Sequence, residues 1–159
     1  MLNNSKQHRS DERLRVNVVG SGKPEKLGVP PHLQSHILPH INLRFQDFYE
    51  LINTNFALLP ALASDAYYDR KFSSTLITSL VTGVPVVVDQ RFLDAYSFMH
   101  EEHVAYQHKN EEVSDVLSRL LASSSKELAK GRAQLSKLRE QLNVDALSKI
   151  KALLAPIEA

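Results

Sequence analysis

Residues 70–89 read RKFSSTLITSLVTGVPVVVD, and this stretch decides the fold that the sequence predicts. Ser73 or Ser74 can cap a helix whose apolar residues repeat at helical spacing, and Gly83 then ends that helix. The next residues, 84–88, are four valines and a helix-breaking proline, which is typical of a strand covered on both faces of a parallel sheet. The stretch therefore predicts a helix that leads into a buried strand.

The amino end of this helix is the predicted binding site. Arg70 and Lys71 lie where the helix dipole is positive and where the first backbone N–H groups lack partners. A diphosphate could accept hydrogen bonds from those N–H groups, from the hydroxyls of Ser73 and Ser74, and from Lys71. The alternative interpretation is that the serines only cap the helix and that the basic side chains only face water.

The loop before the helix would supply further binding groups. Residues 56–59 predict a buried strand, and residues 61–69 form the loop at its carboxyl end, where open α/β sheets hold their ligands. Asp65, Tyr67 and Tyr68 are therefore candidates for the same site. The tyrosines could stack on a base or simply be half-buried amphipathic rings. The acidic residues of the loop could instead neutralise the two cations at the helix start.

The composition is that of one globular domain. The 159 residues are 43% hydrophobic, which is enough apolar material for a core. A net charge of +1 provides no overall field for nucleic acid, so none is expected as a partner. The chain has no cysteine, which excludes disulfides and thiolate catalysis. No apolar run approaches the roughly 20 residues of a membrane span, and we expect a cytoplasmic chain, although a parent protein could be membrane-associated.

Alternating patterns along the rest of the chain predict the architecture. Residues 1–13 are too polar to pack and are interpreted as a tail or a fragment start, and residues 14–159 as one domain. The order of strands and helices predicts a Rossmann-like open parallel sheet of about five strands with helices on both faces. A last helix over residues 125–154 is expected to break near Asn143.

Two other patterns argue against common cofactors. The first strand, residues 14–19, runs into Gly20-Ser21-Gly22, but Glu25 stands where a dinucleotide-binding fingerprint has its third glycine. A nicotinamide cofactor is therefore not expected. His32, His36 and His40 are spaced as zinc ligands on one helix could be, but Pro39 interrupts that helix. We interpret them as loop histidines and expect no metal.

The order of these elements resembles the C-terminal, donor-binding half of nucleotide-sugar glycosyltransferases with the GT-B fold. The resemblance covers roughly residues 14–142 and is most specific in TGVPVV, residues 82–87. It implies a UDP- or GDP-sugar donor whose phosphates lie at Lys71, Ser73 and Ser74, with the loop tyrosines nearby and the first-strand turn against the nucleotide. The candidate donor-binding residues are Gly20, Ser21, Asp65, Tyr67, Tyr68, Arg70, Lys71, Ser73 and Ser74.

The chain also departs from that family. Many retaining members have two glutamates eight positions apart, but Arg70 and Thr78 stand at the corresponding positions here, so no catalytic residue is assigned. The family's acceptor site lies in an N-terminal half. We therefore expect a hexosyltransferase fragment or subunit that needs an N-terminal acceptor-binding domain or a separate subunit. The alternative is a non-catalytic protein-interaction or regulatory module that has lost this chemistry.

Overall fold

The computed structural model describes residues 14–62 and 64–154, which fall into two compact units. The first unit ends at Thr54 and the second begins at Asn55, and each is described by itself. That they form one domain over residues 14–159 stays a prediction, and the tail predicted for residues 1–13 lies outside the described residues. Among the described helices, none has the length and apolar character needed to cross a membrane.

The first unit is a pair of parallel strands followed by a helix. Its elements are β1 (Val16–Gly20), two 3-10 turns (Pro24–Leu27 and Pro31–Leu33), β2 (Ile37–Ile41) and α1 (Phe45–Asn53). Val16 lies opposite Ile37, and Gly20 lies opposite Ile41. The connection between the strands contains these short turns and no α-helix, and Gly28, with a left-handed φ of 58°, ends the first turn.

The second unit is mostly helical and contains a small parallel sheet. Its elements are α2 (Ala66–Asp69), α3 (Ser74–Thr82), β3 (Val87–Val88), α4 (Gln90–Ala95), a 3-10 turn (Glu101–His103), β4 (Ala105–Tyr106), α5 (Val113–Ala122) and α6 (Ser125–Leu154). β3 pairs with β4, with Val87 opposite Ala105. Leu58 makes a single parallel bridge with Val86. The order across the sheet is therefore Leu58, β3, β4.

The predicted five-stranded Rossmann-like sheet is wrong. The described residues contain two separate two-stranded parallel sheets, and most of the regular structure is helical. The backbone just before β3 shows the reason. The carbonyl of Val84 accepts from the Ser79 hydroxyl at 2.7 Å, and its N–H donates to the Thr82 hydroxyl at 3.3 Å. Pro85 has no N–H, so it pairs only through its carbonyl, which accepts from the Leu58 N–H at 2.8 Å, and the regular strand is limited to the two residues of β3.

Helix α3 begins and ends where the sequence predicts. Ser73 is the residue before its first turn, and Gly83 ends it with a φ of 71°, a left-handed conformation that favours glycine. The N–H of Gly83 donates to the carbonyl of Ser79 at 2.8 Å. Leu76 is fully buried, but Ile77, which the pattern places on the same apolar face, is 49% exposed. The polar Ser79 is fully buried, so the buried face of α3 differs from the apolar face that the pattern predicts.

Helix α6 is continuous, so the predicted break near Asn143 is wrong. Its first half packs within the second unit through Leu135, which has no exposed surface. From Asn143 to the last described residue, Leu154, every side chain is exposed. The exposed large apolar side chains there are Val144, Leu147, Ile150, Leu153 and Leu154. Packing therefore ends where the break is predicted, while the helix itself goes on.

The buried histidine of the second unit has surroundings that favour its neutral form. His103 is 8% exposed, and its Nδ1 accepts a hydrogen bond from the backbone N–H of His100 at 3.0 Å. Burial lowers the pKa of His103 below its ordinary value. The attraction of Glu102, whose Oε1 lies 3.6 Å from the His103 Nε2, offsets this lowering only in part.

We expect acidification to destabilise the fold through His103. Because its folded-state pKa lies below the unfolded value of about 6.5, the unfolded chain takes up the proton first as the pH falls through about 6.5. The contribution of the neutral His103 to the free energy of unfolding is therefore complete above that pH and is lost as the pH falls below it. Urea unfolding at about pH 7.5 and about pH 5.5 should show a larger fall in free energy for the wild type than for His103→Gln. His32→Gln, at an exposed position, is the control and should keep the wild-type fall; an equal fall in both variants would contradict this expectation.

Candidate functional site

The start of helix α3 presents backbone donors that the described protein does not use. Ser73 has an extended backbone, and its side chain makes no capping hydrogen bond. Its own N–H donates to the Tyr96 hydroxyl at 3.1 Å. Within residues 14–62 and 64–154, no acceptor is found for the N–H groups of Ser74 and Thr75. Two unpaired N–H groups at the positive end of a helix favour an anion.

The hydroxyl of Ser73 adds a third donor at the same place. Ser73 is only 2% exposed, and no hydrogen bond of its hydroxyl is found in the described part of the chain. In that same part, every fully buried polar side-chain atom has a partner. The small exposed surface of Ser73 therefore includes its hydroxyl. An enclosed serine that neither caps its helix nor pairs elsewhere is suited to a ligand oxygen.

Two cations stand beside these donors. Arg70 and Lys71 are exposed, and among the described residues neither has an ion-pair partner. The Lys71 Nζ lies 5.8 Å from the centroid of the Tyr67 ring. The sequence leaves open that loop aspartates neutralise these cations. Asp65 does not do so, because its carboxylate pairs with Arg91. The positive charge at the start of α3 is thus uncompensated by the described acidic side chains.

The Tyr96 hydroxyl fixes the backbone that leads into the site. It accepts from the Ser73 N–H at 3.1 Å and donates to the carbonyl of Tyr67 at 2.7 Å. The carbonyl of Lys71 is also within reach, at 3.3 Å. The Tyr96 ring is 5% exposed and packs on Phe92, with ring centroids 4.5 Å apart. One buried hydroxyl therefore ties the segment between α2 and α3 to the end of α4.

Arg91 holds the other side of the same loop. Its Nη2 lies 2.7 Å from the Asp65 Oδ1, and its guanidinium carbon lies 3.9 Å from the centroid of the Tyr68 ring. The hydrogen bond to Asp65 raises the pKa of Arg91 above its ordinary value, so the guanidinium stays charged. Both tyrosines of the loop are half-buried, which agrees with the amphipathic interpretation. Stacking of a base on either ring stays a prediction.

A cavity of about 410 Å³ opens at the carboxyl ends of the strands. It is lined by Leu59, Pro60, Leu62, Tyr68, Val87, Val88, Asp89, Phe92, Gln107 and Val113. A polar groove of about 350 Å³ shares Asp89 and Gln107 with it. The Asp89 carboxylate caps α4 by accepting from the Phe92 N–H at 3.1 Å, so it is already committed to the fold. The sequence predicts a ligand site at this edge, and Tyr68 is the predicted site residue that reaches the cavity.

Gly20 and Ser21 belong to the first unit, whereas the other seven candidate residues belong to the second. Gly20 is the last residue of β1, and its carbonyl accepts from the Asn42 N–H at 3.0 Å. A Cβ built on Gly20 would meet no atom within 4 Å, so the space beside it is open. Contact between these two residues and a nucleotide stays a prediction.

The three spaced histidines lie around the strands of the first unit. The Nδ1 of His36 lies 3.1 Å from the carbonyl oxygen of Leu14, and the Nε2 of His40 lies 2.8 Å from the Asn17 side-chain oxygen. Within the described ranges, no group of three His, Cys, Asp or Glu side chains could hold a metal ion. His36 and His40 are thus placed by hydrogen bonds to the chain around β1.

Sequence reasoning misses the roles of Arg91 and Tyr96. Arg91 follows β3 closely, and polar residues after a strand are a usable signal. Tyr96 offers no such signal, because its partner Ser73 lies 23 residues earlier in the chain. Comparison with known proteins adds no candidate: no protein-family model matches this sequence, and no curated protein matches it. The proposals below therefore depend on the geometry and on the sequence resemblance.

Proposed function

We propose that this chain binds the diphosphate of a nucleotide-sugar donor at the start of α3, as the donor-binding half of a hexosyltransferase. The observation that carries the proposal is the group of unused donors there: the N–H groups of Ser74 and Thr75, the Ser73 hydroxyl and the Lys71 ammonium. Oxygens of a diphosphate would satisfy them together. No single neutral ligand group offers as many acceptors.

These groups would act on the leaving group of the transfer. In the proposed reaction, an acceptor displaces the nucleoside diphosphate from the anomeric carbon of the sugar. The helix dipole and Lys71 would stabilise the negative charge that develops on the diphosphate as that bond breaks. The acceptor and its base would come from an N-terminal domain or a separate subunit. We assign no catalytic residue and no metal to this chain.

Thermal unfolding with UDP, GDP and inorganic diphosphate tests this proposal. A ligand present at about 100 times its Kd adds about 2.7 kcal/mol of stability, which corresponds to a rise in Tm of roughly 5–10 °C for a chain of this size. We expect such a rise with a nucleoside diphosphate and its loss in Lys71→Ala. Lys149→Ala, at an exposed position of α6, should keep the rise. No rise with any of the three anions, or an equal rise in Lys71→Ala, would contradict the proposal.

A second candidate function is a non-catalytic interaction module. Two observations favour it. Thr78, at the position of a family glutamate, is 8% exposed and donates its hydroxyl to the Ser74 carbonyl at 3.0 Å, which is a structural role. The second half of α6 also presents exposed apolar side chains, Leu147 and Ile150 among them. This candidate predicts indifference to nucleotides and a stable protein complex that Leu147→Lys together with Ile150→Lys disrupts.

A further inference from the structure

Asp65 is the acidic side chain whose surroundings bear most directly on the proposed anion site. It precedes α2 with a helical backbone, and its side chain makes no capping bond to that helix. Its carboxylate is 75% exposed and is held by the Arg91 Nη2 at 2.7 Å. Among the described residues, the Arg91 guanidinium is therefore the group that holds this carboxylate in position.

The chain brings Asp65 back towards Lys71. The N–H groups of Arg70 and Lys71 both donate to the carbonyl of Ala66, at 3.0 Å and 2.7 Å. The backbone of Lys71 thus lies against the residue that directly follows Asp65. A released carboxylate at position 65 would share its loop with the exposed cations of Arg70 and Lys71, and it would be attracted to the Lys71 ammonium beside the unused donors.

Arg91 is well placed to prevent this. Its guanidinium contacts the residue before α2 and a residue within it: it pairs with Asp65 and lies 3.9 Å from the Tyr68 ring centroid. Stacking on the ring keeps water from one face of the guanidinium and fixes its orientation. An exposed ion pair with such a support is held more firmly than an exposed pair by itself.

We propose that Arg91 is a positioning residue that keeps the anion site at the start of α3 open by holding Asp65 away from Lys71. This inference rests on the proposed function, because it assigns a control element to the same site. Without Arg91, the Asp65 carboxylate would pair with the Lys71 ammonium that the diphosphate needs. The guanidinium itself would not touch the ligand.

Isothermal titration of the full chain with UDP and with inorganic diphosphate tests the proposal in four proteins. Relative to the wild type, Arg91→Gln should bind roughly tenfold more weakly, since a competing carboxylate then pairs with Lys71. The double variant Arg91→Gln with Asp65→Asn should recover an affinity within about threefold of the wild type. Arg44→Gln removes another exposed Arg–Asp pair, with Asp47 at 2.8 Å, and should have no effect.

The outcomes separate this proposal from the proposed function. Wild-type affinity in Arg91→Gln would overturn the role of Arg91 while leaving the anion site intact. Weak binding that persists in the double variant would also overturn it, because Arg91 would then contact the anion itself. Failure of the wild-type chain to bind either anion would refute the proposed function, and this inference with it. The ¹⁵N signal of the Lys71 Nζ gives a second readout, which should change in Arg91→Gln and return in the double variant.

Discussion

Leu135→Ala is expected to lower the free energy of unfolding by about 2–5 kcal/mol, and Leu147→Ala to change it by no more than about 0.5 kcal/mol. Both leucines lie on α6, and the substitution is the same. Leu135 has no exposed surface, whereas Leu147 is 53% exposed. Truncating the first leaves a cavity in the core of the second unit, while truncating the second only removes a solvated side chain.

Urea unfolding of the two variants measures this difference. Because the change in helix propensity is the same at both sites, the comparison isolates the packing contribution. A cost at Leu147 that approaches the cost at Leu135 would show that the second half of α6 is covered in solution. Repeating the measurement at several protein concentrations would then identify a second copy of the chain as the cover.

Local signals are sufficient to predict α3. Ser73 before the helix and Gly83 after it are capping residues whose preferences do not depend on distant parts of the chain. The burial of Val84 and Val86 also follows from local composition, because four valines within the five residues 84–88 favour a covered segment. Composition thus predicts that this segment is buried.

The pairing of the buried backbone cannot be predicted in the same way. Val84 bonds to the side chains of Ser79 and Thr82 instead of to a neighbouring strand. A run of valines does not reveal this choice, which depends on two hydroxyls of the preceding helix. The first valine of the run is therefore lost from the predicted strand, while the residues after it still bond to Leu58 and Ala105.

The candidate site likewise has a part that the sequence predicts and a part that it does not. The exposure of Lys71 and the unused donors of α3 follow from the order of residues around the start of the helix. The partners that shape the site come from farther away, since Arg91 lies 26 residues after Asp65. A single sequence gives no sign of such pairs. Predicting the donors is therefore feasible, while predicting what holds the loop is not.

Tyr96→Phe is expected to cost about 1–3 kcal/mol of stability, which is large for the loss of one oxygen atom. The ring would keep its packing on Phe92, but the N–H of Ser73 and the carbonyl of Tyr67 would both lose their partner. Ser73 is almost fully enclosed, so water cannot easily replace the hydroxyl. We expect faster hydrogen exchange of the Ser73 amide and, if the proposed function holds, weaker binding of diphosphate.

Tyr106→Phe is the matched control for this prediction. Its hydroxyl donates to the exposed side chain of Gln90 at 3.0 Å, so its removal should cost less than about 0.5 kcal/mol. Urea unfolding and amide exchange by NMR measure both variants. Equal costs would mean that the Tyr96 hydroxyl does not hold the segment before α3. A large cost at Tyr96 with unchanged diphosphate binding would mean that the anion site tolerates a looser loop, because the donors of Ser74 and Thr75 belong to the helix itself.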